Sequence, residues 1–288
     1  MGCNCNICNQ QSNFLFDTVV LQKHLVKYYK CQNCGFIQTE NPYWLNEAYS
    51  SPIALIDVGL LQRNVFLSEK ISEIIDNLIP FDGTYLDYGG GYGIFVRLMR
   101  DKGYDFYLDE KYTQNIFAKY FELKDSGFKT DFTCLTAFEV FEHLVNPVKE
   151  IEEMFALSKT IVFSTELQLK DDIKKANDWW YFVPEGGQHV SLYSLNSLMH
   201  LKKHFNCHLY TNKHNLHVLS RVALKDPFEK IIAEYPSLSV RIKNRFFNKN
   251  KRTENLIKRE SLLMNDFEYY KNKLSDGEIQ DTNIPAKP

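Results

Sequence analysis

No apolar run in this chain approaches the roughly 20 residues of a membrane-crossing helix, so no membrane span is expected. The amino terminus, Met1-Gly2-Cys3-Asn4-Cys5-Asn6, lacks the apolar stretch of a secretory signal. It also lacks the hydroxyl residue that N-myristoylation requires, because Asn6 stands in that place. Charge of one sign is hardly in excess: 34 Lys and Arg against 36 Asp and Glu leave a formal net charge of -2. Such a balance gives no general attraction to nucleic acid or acidic lipid, and neither is expected as a partner. Internal repeats and low-complexity tracts are missing as well. What is present is a chain of 288 residues, 44% hydrophobic and 14% aromatic, with ample material for a full core. A cytoplasmic location is expected, and there cysteines are reduced or metal-bound.

Cysteine is scarce, yet four of the seven fall into two C-x-x-C pairs, Cys5/Cys8 and Cys31/Cys34. That spacing offers four thiolates to one tetrahedral structural zinc. Asn9 and Gly35 follow the second thiolate of each pair, and both tolerate the left-handed turn of a metal knuckle. Phe14–Phe16 and Leu25–Tyr29 read as short strands between them, so residues 1–50 are expected to form a zinc-ribbon-like segment. A chance cysteine cluster in a loop is the alternative. Cys3 is a competing ligand, whereas Cys134 and Cys207 lie in apolar runs and read as core.

Residues 51–226 alternate strand and helix patterns. Ser68 is expected to cap a helix carrying Ile71, Ile74, Ile75, Leu78 and Ile79, stopped by Pro80. Strands are read at Leu86–Tyr88, Tyr104–Leu108, Phe132–Phe138, Thr160–Ser164, Cys207–Thr211 and Leu216–Leu224. Helices are read after Gly93, after Asn146-Pro147, and from Ser194 through Leu195, Leu198, Leu201 and Phe205. This alternation predicts an α/β, doubly wound, mostly parallel sheet covered on both faces. Residues 227–275 read as a charged helical extension with a basic cluster at Arg241, Lys243, Arg245, Lys249, Lys251 and Arg252, taken as a solvated face. Residues 276–288 read as a disordered tail.

The richest local signal is Leu86-Asp87-Tyr88-Gly89-Gly90-Gly91-Tyr92-Gly93, a strand, tight turn and helix start, with Asp109 ending the next strand. Glycine permits positive φ and close ligand approach, and an acid at a second strand tip suits a ribose. Asp87 stands just inside the turn, where it would repel a pyrophosphate but attract an ammonium group. The dinucleotide fingerprint would also place its third glycine where Ile94 stands. A cationic, amino-acid-bearing nucleoside fits better.

These residues, with Leu135 to Leu144 (E-V-x-E-H-L from Glu139), resemble the class I S-adenosylmethionine-dependent methyltransferases. Trp179-Trp180-Tyr181 and Pro184–Tyr193 are similar to an acceptor-side segment in bacterial members. A ribbon ending in C-x-x-C-G is similar to that of sugar and surface-glycan methyltransferases of the same branch. The resemblance spans residues 1–224 and implies a seven-stranded Rossmann-like methyltransferase sheet. It implies S-adenosyl-L-methionine as cofactor, held by Asp87, Gly89, Gly91, Gly93, Asp109, Phe138 and Glu139. The segment between Asp109 and Phe132 departs from the pattern, with no clear acid to hold the adenine amino group.

The expected reaction is methyl transfer to a small-molecule acceptor, a hydroxyl of a nucleotide-linked sugar or glycan. His189 has the side-chain type and loop setting of a general base. Glu142 and His143 are the second catalytic candidates, able to orient substrate, bind a divalent ion or cap a turn. Trp179, Trp180, Tyr181, Glu185, Gln188 and Tyr193 are the candidate acceptor-binding residues, against ordinary core burial for the aromatics. Three alternatives stay open: N- or C-methylation of another metabolite, a zinc-ribbon interaction module on a cofactor-binding scaffold, and a nicotinamide-dependent oxidoreductase. The charged C-terminal helices offer faces for a homo-oligomer.

Overall fold

The amino-terminal elements follow the cysteine pairs. In the computed structural model, which describes residues 2–50, 57–78, 83–168, 172–229 and 259–276, β1 (Cys3–Asn4), β2 (Gln11–Val20), β3 (His24–Cys31) and β4 (Ile37–Thr39) form an antiparallel sheet. The two central strands are longer than the sequence pattern suggests, because alternate residues Phe16, Val20, Val26 and Tyr28 all find an apolar floor. A short helix, α1 (Leu45–Ala48), leads toward α2 (Leu60–Leu78). Ser68 lies inside α2, not at its cap. Its hydroxyl donates to the Val65 carbonyl at 2.8 Å, and the helix starts instead after the turn at Asp57–Gly59. Ile79 and Pro80 lie outside the described residues, as does the basic cluster from Arg241 to Arg252.

The alternating part of the chain then gives β5 (Thr84–Tyr88), α3 (Ile94–Asp101), β6 (Asp105–Asp109), β7 (Cys134–Ala137), α4 (Pro147–Leu157) and β8 (Thr160–Ser164). After a long irregular segment come β9 (Ser191–Leu192), α5 (Leu195–His204), β10 (His208–Thr211) and β11 (Leu216–Ser220). Pro147 opens α4 and Ser194 caps α5, as the sequence pattern predicts. The main sheet runs β10-β11-β8-β7-β5-β6, with β8, β7, β5 and β6 parallel and β11 antiparallel to β8.

Period-two alternation divides the core. Tyr85, Phe106, Cys134, Val162 and Val218 face α2 and α3, packing on Ile71, Ile74, Phe95 and Met99. Leu86, Leu135, Ile161 and Leu219 face the other way, toward Ile151 and Phe155 of α4 and Leu198 and Leu201 of α5. Each such fully buried side chain contributes about 1.5–3 kcal/mol of transfer free energy. The same second cluster takes in Cys5, Cys31, Cys34 and Phe36, so the cysteine end packs directly against the main sheet's helices.

The expectation of seven strands is corrected to six among the described residues. Between β6 and β7 the chain makes only isolated parallel bridges, Leu108 to Glu122 and Phe132 to Ser158. After Glu122 it closes into a 3-10 turn over Leu123–Ser126 and turns at Gly127 with φ 75°. The short stretch before Phe132 has no length left for a strand. That flank is covered instead by α6 (Leu263–Ser275). The helix is not merely a solvated appendage: buried Asp266 accepts two bonds from Arg100 of α3, at 2.8 and 2.7 Å. The Arg100 guanidinium also lies 3.6 Å from the Phe121 ring centroid. No helix among the described residues is long and apolar enough to cross a membrane.

Candidate active site

Parallel pairing aligns Tyr88 with Asp109 and Asp87 with Thr136, so the carboxyl ends of β5, β6 and β7 share one edge. The chain leaves β5 for β6 on one side and β7 pairs on the other, which opens a crevice at that switch point. Gly89, Gly91 and Gly93 all have positive φ, at 67°, 59° and 82°. At Gly89 glycine is required twice over, since a Cβ would also lie 2.8 Å from Val140 Cγ2. The Gly89 amide donates to the Asp109 carbonyl at 2.7 Å, tying the turn to the tip of β6.

Two carboxylates govern the electrostatics here. Asp87 is buried below the turn, accepts a 2.6 Å bond from the Thr136 hydroxyl, and has no cationic partner among the described residues. Burial pushes its pKa up to about 7, against the opposing Thr136 bond. Asp109 is also raised by burial, with Lys111 pulling the other way, and no hydrogen bond among the described residues engages its carboxylate. The next residue, Glu110, was not singled out by the sequence, yet it accepts bonds from the amides of Gly91, Tyr112 and Thr113 at 2.8, 2.6 and 3.0 Å.

Beyond β7 the chain turns through Glu139, at φ 54°, whose carboxylate accepts from Ser164 at 2.7 Å. Arg63 of α2 approaches Glu139 at 3.8 Å and grips Asp57 through two bonds of 3.0 and 2.8 Å. Glu142 is fully buried, and neither carboxylate oxygen makes a well-formed hydrogen bond among the described residues, although the Tyr181 and Thr165 hydroxyls lie near enough to pull its pKa down against burial. Burial, with Glu139 adding to it, pushes its pKa up to about 8. His143 Nδ1 lies 3.0 Å from the Tyr49 hydroxyl, and Tyr49 stacks on Tyr112 with centroids 5.0 Å apart. His189 Nδ1 donates to the Tyr181 carbonyl at 2.6 Å, which fixes the tautomer and leaves Nε2 a lone pair. Burial drives the His143 pKa well down and pulls His189 to about 4, so both rings are neutral near pH 7. The ordinary imidazole value that favoured His189 as a base does not survive desolvation.

The segment carrying His189 is held by the amino-terminal unit. Ser191 and Leu192 pair as β9 with Gln38 and Ile37 of β4, extending that sheet. The Leu21 amide donates to the Pro184 carbonyl at 2.9 Å, and the Trp44 indole donates to the Gly187 carbonyl at 2.8 Å. Gly187 has φ 68°, and a Cβ there would meet the Leu21 side chain at 2.9 Å. On the other side the Val190 amide donates to the Glu142 carbonyl at 2.9 Å.

One cleft of ≈ 600 Å³ joins these parts. Asp87, Gly89, Gly91, Asp109, Phe138 and Glu139 line the end at the glycine turn, and His143, Trp180, Tyr181, Glu185, Gln188 and His189 line the other. Its volume suits a small-molecule site. Gly93 sits just behind the turn and opens α3. Glu142 lies beneath the floor. Trp179 packs instead against Phe182 and Tyr181, at 5.6 and 5.4 Å. Tyr193 is fully buried and donates its hydroxyl to the Phe141 carbonyl at 3.1 Å, away from the cleft. Tyr49, Asp57, Arg63 and Glu110 line the cleft without having been read from the sequence.

The cysteine pairs converge. Cys5 and Cys34 sulfurs lie 3.6 Å apart and Cys8 and Cys31 sulfurs 3.5 Å apart, with all four sulfurs within 4.8 Å of one another. A tetrahedral zinc with bonds of about 2.3 Å sets sulfurs about 3.8 Å apart. The amides of Ile7 and Cys34 each point to a sulfur at 3.4 Å, and Asn9 and Gly35 are left-handed at φ 57° and 73°. Cys5 is drawn down by its bond from Cys34, which is pushed up in turn.

The chemistry of the crevice matches a cationic nucleoside. Asp109 offers an unengaged carboxylate, the turn offers backbone, and buried Asp87 lacks a counter-charge. Fold and site together are those of a methyltransferase domain. A family model described as "Methyltransferase domain" matches residues 61–212, more than half of the chain, and the chain belongs to that family. Among solved structures it is similar to the O-methyltransferase family 2 protein from Planctomyces limnophilus in complex with apigenin. That match has 11% identity and TM-score 0.43, and covers 61% of this chain and 65% of that one, just under two thirds of its length. A SAM-dependent methyltransferase from Aquifex aeolicus is 16% identical with TM-score 0.38, covering 60% of this chain and 97% of that one. No curated protein gives a significant match.

Proposed function

We propose that the chain transfers a methyl group from S-adenosylmethionine to a hydroxyl of a sugar, free or nucleotide-linked, in cytoplasmic surface-glycan biosynthesis. The observation that carries this reading is the continuity of one cleft from the glycine turn and Asp109 to the His143–His189 pair and Trp180. The cofactor supplies a methyl on a cationic sulfur that departs as a neutral thioether. Asp109 accepts from the ribose hydroxyls, and Asp87 places negative charge beneath the amino-acid end. Phe138 and Glu139 wall the cleft between cofactor and acceptor. Trp180 and Tyr181 give the acceptor flat apolar faces, while Glu185 and Gln188 offer polar edges suited to a polyol. His189 presents its Nε2 lone pair to the acceptor and activates the hydroxyl as its proton leaves. Its low basicity places that proton loss late, when bonding to the methyl has already acidified the oxygen.

The four cysteines hold a structural zinc in this reading, making residues 1–50 a ribbon that braces the acceptor side. Residues 51–226 are then the methyltransferase domain proper, and 227–275 a helical extension. The test is a screen of nucleotide-activated sugars and free glycans with isotope-labelled methyl donor, read by mass and by fragmentation. Label on a sugar oxygen is the expected result. Label only on nitrogen or carbon of any acceptor would overturn the hydroxyl assignment.

A further inference from the structure

We propose that Glu142, His143 and His189 form a divalent-cation site at the acceptor end of the cleft. One donor atom from each lies within 4.8 Å of the other two. A cation held at about 2.0–2.2 Å from each would need only a small closure of the three side chains. Two imidazoles and one carboxylate on one side of an ion suit manganese, iron, cobalt or zinc, and leave open positions opposite.

Two observations beyond the cluster itself point to a ligand. Glu142 is fully buried with no well-formed hydrogen bond to either carboxylate oxygen and no cationic partner among the described residues; the nearby Tyr181 and Thr165 hydroxyls only partly offset the cost of burying it. Both rings are also oriented from behind, as metal-bound imidazoles are. His189 Nδ1 donates to the Tyr181 carbonyl at 2.6 Å, and His143 Nδ1 meets the Tyr49 hydroxyl at 3.0 Å. Nε2 is the atom left to ligate on each ring. The nearby Arg63 does not fill the role of counter-ion to Glu142, because Asp57 and Glu139 engage it.

The inference rests on the reading that His189 faces the acceptor, and it specifies what stands between them. With the ion bound, the Nε2 lone pair holds the cation instead of taking the acceptor's proton directly; an acceptor hydroxyl at an open position is acidified by the ion and loses its proton to solvent. Neighbouring hydroxyls on a sugar would chelate the ion, which narrows the acceptor to a polyol.

The test uses the full chain with its cysteine site loaded with zinc, titrated with Mn²⁺ alone and read by the loss of the free-ion paramagnetic resonance signal. One Mn²⁺ per chain is expected, with affinity at least tenfold weaker in Glu142→Gln and in His143→Gln. Unchanged S-adenosylhomocysteine binding in each variant establishes that it is folded. Equal binding of Mn²⁺ by wild type and both variants would overturn the site. Absence of Mn²⁺ binding in wild type, with turnover indifferent to chelator but lost in His189→Ala, would also overturn it and leave the ring acting alone. Mn²⁺ bound at this site without hydroxyl methylation of any acceptor would support the site and refute the acceptor reading instead.

Discussion

The two ends of the cleft are built in opposite ways. At the cofactor end, Asp87, Gly89, Asp109, Phe138 and Glu139 sit at or just past the tips of three adjacent parallel strands, fixed by the register of those strands. At the acceptor end, Tyr49, Arg63, His143 and the Trp180–His189 segment come from regions far apart in the chain. They meet through bonds such as Trp44 to Gly187, Gln188 to the Ala48 carbonyl and β9 to β4. The difference teaches that one end is a property of the sheet, and the other depends on the amino-terminal unit remaining docked.

That contrast can be broken most sharply at the cysteines. In small zinc domains the metal contributes about 10–16 kcal/mol to folding. Stripping the metal, or combining Cys31→Ser with Cys34→Ser, should abolish turnover while S-adenosylhomocysteine still binds by calorimetry. Affinity lost in step with turnover would show that the two ends are not separable. Metal analysis of the purified chain should find about one zinc per chain.

Next in size is His189→Ala, expected to lower turnover by about 10²–10⁴ with cofactor affinity unchanged. Near-normal methylation by this variant would remove His189 from the reaction. The complementary change, Asp109→Ala, should weaken S-adenosylhomocysteine binding by about ten- to a hundredfold, the worth of charge-assisted bonds to the ribose. A parallel collapse of bound-substrate turnover at saturating cofactor would contradict the division.

The smallest effect is a pH dependence confined to the cofactor end. Burial raises Asp87 to about 7 in the free protein, above its ordinary value. The sign follows directly: protonated Asp87 favours the folded chain at low pH, and that contribution is lost as pH rises through about 7. A cationic cofactor favours the ionised form, so its affinity should increase over the same interval, by at most about tenfold per pH unit. Asp87→Asn should flatten that rise without altering acceptor binding.

The cofactor end was legible in the sequence because its chemistry is local. Glycines at 89, 91 and 93 follow, and acids at 87 and 109 stand at the ends of, strands readable from their own apolar runs, and Pro147 and Ser194 mark helix starts by their own capping chemistry. The acceptor end was legible only in part. Trp179 and Trp180 are neighbours of one type, yet Trp179 packs inward while Trp180 is 70% exposed at the cleft mouth. Nothing local distinguishes them. Tyr193 lies in the same aromatic stretch as His189, but β9 turns it into the core. The two residues of β9 have no strand signal of their own; their pairing partner is β4. Arg63 was hidden because the helix start was read at Ser68, which placed it outside the helix. The seventh strand was an expectation of the family resemblance, and the short segment after Asp109 is where this chain departs from it.

An adenosyl sulfonium and a dinucleotide make opposite demands on the bend after β5. Calorimetric titration of the wild-type chain with S-adenosylhomocysteine and, separately, with NAD distinguishes them directly. One S-adenosylhomocysteine per chain, competed by S-adenosylmethionine, with no heat from NAD is the expected result; saturable NAD binding with none for S-adenosylhomocysteine would refute an adenosyl-sulfonium site.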